Sequence, residues 1–145
     1  VRIDLTSAAA DIVNAGHPPP LRLRAGQVEH VRLEADRPFG LQPRRGYRVQ
    51  ALQLEVGDRL MFVTDCMLER EAARMNIAAI LTASMNMHAR EAVQHLTQAV
   101  LQASGGQLRD DATALCLDWH GGPPRDRDAT SGADREGRLH QAASD

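Results

Sequence analysis

Val56-Gly57-Asp58-Arg59-Leu60-Met61-Phe62-Val63-Thr64-Asp65 holds a turn, a strand and a strand exit in immediate succession. Gly57 and Asp58 are turn residues, and Val56-Gly57-Asp58 closes whatever precedes it. The run Arg59–Thr64 is continuously apolar at its centre, without the alternation of a half-exposed strand. Such a run predicts a strand covered on both faces. Asp65 stands where that strand emerges.

Working outward toward the N-terminus, Tyr47–Leu54 predicts a strand, preceded by a loop around Pro38, Gly40 and Pro43. Leu21-Arg22-Leu23-Arg24 alternates, Ala25-Gly26-Gln27 turns, and Val28–Leu33 returns as an antiparallel partner. Gly16-His17-Pro18-Pro19-Pro20 interrupts pairing, because proline has no amide donor. Val1–Leu5 and Asp11–Asn14 predict a further hairpin joined by residues 6–10, and the alternation at Val1 suggests a sequence that starts in mid-fold. Toward the C-terminus the period changes. Ile77, Ile80 and Leu81 share a helical face, and Ala92, Val93, Leu96, Ala99, Val100 and Ala103 form a longer stripe, with His95 on the opposite, solvated side. Gly105-Gly106 stops that helix. Ala112–Trp119 then alternates, with Leu115, Leu117 and Trp119 on one face and Ala112, Ala114 and Cys116 on the other. The order predicts an α+β fold: antiparallel strands, two helices, and a strand returning to the sheet.

Composition narrows the function classes. The chain has 145 residues, 43% of them hydrophobic, and a net charge of −2. All 17 basic residues are arginine, aromatics make up 3%, and neither a basic surface nor a stacking platform for nucleic acid is expected. The apolar runs are too short to cross a bilayer, and no membrane contact is expected. Cys66 and Cys116 form no redox or zinc spacing, which points to a cytoplasmic setting. Gly121–Asp145 carries one large aliphatic residue, Leu139, and is read as a disordered tail behind a folded body of residues 1–120.

Acidic residues supply the candidate chemistry. Asp65 follows one strand, and Asp110 and Asp111 precede another. Were those strands neighbours, carboxylates from distant segments would converge on one sheet edge, a hard-oxygen set suited to Mg²⁺ or Mn²⁺. Aspartates also commonly close strands in loops, and spacing alone favours that plainer origin.

Several segments in order resemble one family. Asn14-Ala15-Gly16-His17-Pro18-Pro19, Glu55-Val56-Gly57-Asp58-Arg59-Leu60, Phe62-Val63-Thr64-Asp65 with Glu69, and Leu108-Arg109-Asp110-Asp111-Ala112-Thr113 are similar to segments of the SpoIIE-like branch of metal-dependent (PPM-type) serine/threonine phosphatases. The resemblance implies the C-terminal part of a four-layer αββα sandwich. It implies Asp65 and Asp110 as metal ligands, with Asp111 beside them, and a two-metal site for Mn²⁺ or Mg²⁺. His17 falls on a loop near the metals, where three prolines suit it equally to holding that loop in shape. The activity implied is hydrolysis of phosphoserine or phosphothreonine on a bacterial regulatory protein, such as an anti-sigma-factor antagonist. Two departures accompany it. The family's first acidic motif, N-terminal to the Asn14–Pro19 segment, is not in this sequence, so the chain alone is expected to be inactive. Cys66 stands where the family has glycine after Asp65, and the segment after Glu69 is shorter. A non-catalytic relative that binds such a regulator is the alternative reading.

Overall fold

The central strand is the one expected. In the computed structural model, which describes residues 1–41, 46–67, 76–106 and 111–122, Arg59–Val63 forms strand β6 in chain order. Before it come β1 (Arg2–Ile3), β2 (Ala9–Ile12), β3 (Leu21–Arg24), β4 (Gln27–His30) and β5 (Gln50–Gln53). After it come α1 (Ile77–Ala83), α2 (Ala89–Ala103) and β7 (Ala114–Asp118).

All pairings are antiparallel, in two sheets. One has the order β1-β2-β5 and the other β4-β3-β6-β7. β6 alternates its side chains between two cores. Met61 and Val63 pack with Leu21, Leu81, Ala92, Leu96 and Val100, beneath the helices. Leu60 and Phe62 pack with Ala10, Val31, Leu54 and Trp119, between the sheets. A strand covered on both faces has no polar side, which is why its sequence lacks alternation. β7 divides as its pattern predicts, with Ala114 and Cys116 toward the helices and Leu117 with Trp119 toward the other sheet.

The result is three layers: helices, four-stranded sheet, three-stranded sheet. No helix among the described residues covers the outer face of the three-stranded sheet, where Ala9, Ala51 and Gln53 are exposed.

Local chemistry sets the ends of the elements. Asn76 caps α1 by accepting from the Ala79 amide at 3.0 Å. His88 caps α2, its Nδ1 accepting from the Arg90 amide, while Glu91 accepts from the His88 amide at 3.1 Å. Gly106 closes α2 at φ +83°, donating to Leu101 O at 2.8 Å. Observed strands are shorter than expected at several ends. The expected start of β5 at Tyr47 is loop instead, because the Arg48 amide donates to the Asp36 carboxylate at 2.7 Å, not to a neighbouring strand. No described helix is long and apolar enough to cross a membrane.

Candidate metal-edge site

Antiparallel pairing of β6 with β7 brings the two acidic segments together. Val63 lies opposite Ala114, so the exit of one strand is the entrance of the other. Beyond the ladder, the Thr64 amide donates to Thr113 O at 3.1 Å, and the Thr113 amide donates to Thr64 Oγ1 at 3.0 Å. Thr64 Oγ1 also reaches Asp111 O at 3.5 Å. Thr64 thus ties the backbone before Asp65 to the backbone after Asp111. Asp65 opens a 3-10 turn, Asp65–Met67, whose Met67 side chain is anchored in the helix-side core. Asp65 and Asp111 are both exposed at this edge.

Asp110 and Glu69 lie outside the described residues, as does the tail from residue 123. Among the described residues no three His, Cys, Asp or Glu side chains gather into a metal-sized group. A hard divalent ion takes six or more oxygen ligands, some of them from water. Asp65 and Asp111 fit a share of such a set by position and chemistry; they do not make a whole one.

His17 stands beside this edge in a shaping role. Asn14, itself buried, accepts the His17 amide on Oδ1 at 2.9 Å, and His17 Nδ1 lies 2.8 Å from Pro18 O. Gly16 has φ +88°, and a Cβ there would meet Pro38 Cγ at 3.2 Å. Both features favour glycine. Asn14, His17 and Pro18 line a cleft of about 390 Å³ between the sheets, together with Thr64, Thr113 and the apolar face of β7. Leu115, 60% exposed, is its largest uncovered apolar side chain on β7.

The opposite end of the four-stranded sheet carries two ion pairs, each with a largely buried carboxylate. Arg24 donates to both Asp58 oxygens at 2.7 and 2.6 Å. Arg59 donates to Asp118 at 2.6 and 2.9 Å, to Ser84 O at 2.5 Å and to Met87 O at 2.6 Å. Burial pushes the Asp58 and Asp118 carboxyls up, but their arginines, together with the Glu55 amide at Asp58 and with His120 and Cys116 at Asp118, hold both below the usual carboxylate range. The sequence reading treated Gly57-Asp58-Arg59-Leu60 only as a strand lead-in and missed this clamp. The signal available was an arginine flanking a fully apolar strand, which needs an acid partner once buried. His95, expected on a solvated face, is half-buried, and its Nδ1 is buried with no hydrogen-bond partner among the described residues.

Known proteins resemble this chain in sequence pattern and in fold. The family described as Stage II sporulation protein E (SpoIIE) matches residues 1–120. No curated protein sequence matches the chain. The phosphatase domain of the cell fate determinant SpoIIE from Bacillus subtilis, presoaked with Mn, superposes with a TM-score of 0.67 at 21% identity, over 86% of this chain and 56% of that one. The RsbU and RsbW domains of a Mycobacterium tuberculosis protein give 0.65 at 25% identity, over 84% of this chain and 36% of that one. The PPM Ser-Thr phosphatase MsPP from Mycobacterium smegmatis, in complex with cacodylate, gives 0.56 at 22% identity, over 75% and 55%. The chain spans about half the length of the SpoIIE phosphatase domain that it matches.

Proposed function

Because the chain belongs to the SpoIIE family of PPM-type phosphatases, we propose that it contributes the Asp65–Asp111 edge of a metal-dependent phosphoserine/phosphothreonine hydrolase. The proposed substrate is a phosphorylated bacterial regulatory protein such as an anti-sigma-factor antagonist. The observation that supports the reading is that the backbone segments carrying Asp65 and Asp111 adjoin at the shared end of β6 and β7. In this reading Asp65 and Asp110 are ligands, and Asp111 stands beside them. Thr64 holds the two segments in register, and His17 shapes the neighbouring loop. Divalent ions such as Mn²⁺ or Mg²⁺, when bound, would supply charge stabilisation and an activated water.

The test is Mn²⁺-dependent hydrolysis of p-nitrophenyl phosphate. The 145-residue chain should match the blank. Joined to the N-terminal portion of the phosphatase domain from a solved relative, it should turn over. Asp65→Asn or Asp110→Asn in the joined protein should lower kcat/KM by roughly 100-fold or more, as expected for losing several kcal/mol of charge stabilisation. Full activity in both variants would refute the assignment. One feature favours a non-catalytic binding role instead: Cys66 where the family pattern has glycine. That role predicts an inactive joined protein that Cys66→Gly activates.

A further inference from the structure

We propose that the free edge of β7 pairs antiparallel with β7 of a second copy of this chain, across a two-fold axis at Leu115. The inference goes beyond the phosphatase reading and does not depend on it. β7 ends the four-stranded sheet, and no strand among the described residues pairs with its far side. The Thr64 amide donates to Thr113 O and the Trp119 amide to Asp58 O, at 3.1 and 2.8 Å. Antiparallel alternation then turns the amides and carbonyls of Thr113, Leu115, Leu117 and Trp119 toward β6. Those of Ala114, Cys116 and Asp118 point away from β6, along the open side. A row of such groups is a template for another strand.

The outer strands elsewhere are short, charged or covered, as edges that stay single commonly are. β4 carries Glu29 and His30, and its Val28 packs into the core beneath the helices. β1 has two residues, with Arg2 paired to Asp11. Beside β5, the Glu34 backbone bonds both ends of the Gln50 side chain, each at 2.8 Å. β7 has no such protection. It reads Ala114-Leu115-Cys116-Leu117-Asp118, and its one charge is committed to Arg59. Leu115, 60% exposed, is the one side chain of the strand left mostly in water.

Self-complementarity selects the second copy. Pairing about Leu115 sets it opposite the partner's Leu115 in a non-hydrogen-bonded pair, where Cα atoms lie about 4.5 Å apart and side chains are closest. Ala114 then faces the partner's Cys116, and Thr113 faces the partner's Leu117. Asp118 faces the partner's Ala112 and Asp111 the partner's Trp119, so no carboxylate opposes another along the seam. Leu115 also lines the cleft of about 390 Å³ together with Ile12, Phe62 and Leu117. The partner's Leu115 therefore meets apolar surface already gathered there, and water leaves both leucines at once. Every contact repeats across the axis, which closes the assembly at two copies.

The test is sedimentation velocity of the 145-residue chain, unaltered and with a charge at position 115. The unaltered chain should run as a dimer at micromolar concentration. Leu115→Glu and Leu115→Lys should each raise the dimer dissociation constant about 10-fold or more, because like charges then face each other directly and the apolar contact is gone. An equimolar mixture of the two variants should dimerise again, as it can only where position 115 faces itself. That position is exposed, so circular dichroism of each variant should match the unaltered chain. An unaltered chain that is monomeric, an open-ended series of larger species, or a mixture that stays monomeric would overturn the proposal. So would a chain that stays single until the N-terminal portion of a relative's phosphatase domain is added, since the edge would then belong to that portion. Association is read without turnover, so an inactive joined protein sinks the phosphatase reading and leaves the dimer standing.

Discussion

Arg59→Met should be among the most damaging single substitutions available in this chain. Its guanidinium reaches Asp118, two main-chain carbonyls in the α1–α2 connection, and Ser84 Oγ at 3.2 Å. The side chains of Arg59 and Asp118 are only 6% and 16% exposed. Methionine keeps the apolar stem and deletes every one of these bonds. A buried carboxylate left without its cation costs about 3–5 kcal/mol, a large fraction of the roughly 5–15 kcal/mol of an ordinary domain. Urea unfolding followed by Trp119, the single tryptophan, reports the loss directly, because Trp119 is 8% exposed in the inter-sheet core.

The pH dependence separates this cause from simple loss of packing. In the wild type the Asp118 carboxyl is held below its ordinary value. It therefore contributes stability above the unfolded pKa of about 3.9, lost as pH falls through the folded value. In Arg59→Met both lowering contributions of the arginine are gone, and burial, the largest cause, is opposed only by His120 and the Cys116 thiol, so the folded pKa rises and the neutral acid is favoured. The deficit of the variant should thus be larger at pH 7 than at pH 4. Arg59→Met with Asp118→Leu, which removes the stranded charge, should recover a substantial part. A loss below about 1 kcal/mol, or a deficit that does not change with pH, would refute the clamp.

Two smaller effects follow from the backbone and the thiol. Ala25 and Gly26 form a two-residue turn at φ +49° and +77°, a type I′ geometry that alanine tolerates poorly. Ala25→Gly or Ala25→Asn should raise stability by about 0.5–1 kcal/mol, seen as a higher melting temperature; a lower one would contradict the turn. Burial, with Asp118 adding to it, pushes the Cys116 thiol up to about 11. In a Cys66→Ser background, iodoacetamide at pH 8 should find roughly one thiolate in a thousand and react slowly until urea unfolds the chain. Rapid reaction in the folded state would show that the thiol is not covered as described.

The elements with strong periodicity were legible in the sequence. β3 is the run Leu21–Arg24 as expected, and the apolar centre of β6 gave both its type and its double coverage. Strand ends were less legible, because they depend on which partner takes an amide. Thr113, expected within the last strand, instead donates to the Thr64 hydroxyl, and β7 begins at Ala114. His95 misled for a related reason. Helical spacing places it off the Ala92-Leu96-Val100 stripe, but the burial of a helix flank depends on tertiary neighbours that spacing does not contain. The candidate site was legible as two acidic segments. Their meeting required the β6–β7 pairing, and the threonine tie between them had no mark in either segment alone.

The family segment Gly57-Asp58-Arg59-Leu60 and the Thr64-Asp65 segment sit at opposite ends of one strand. Five residues of β strand, Arg59–Val63, span roughly 17 Å at about 3.4 Å each. Asp58 and Arg59 face the pole where both ion pairs are formed; Asp65 faces the edge shared with Asp111. Similarity to the family at the first pole therefore speaks to how the sheet and the α1–α2 connection are held, and only similarity at the second speaks to chemistry. A relative that kept the clamp and lost the carboxylates would retain this fold and bind without hydrolysing. This chain has Asp65 and Asp111 at the second end, with Cys66 next to Asp65 in sequence, so the activity proposed for the joined protein turns on whether a side chain is accepted after Asp65. Cys66→Gly and Asp65→Asn in the joined protein address that end alone, because neither touches the Arg59 clamp.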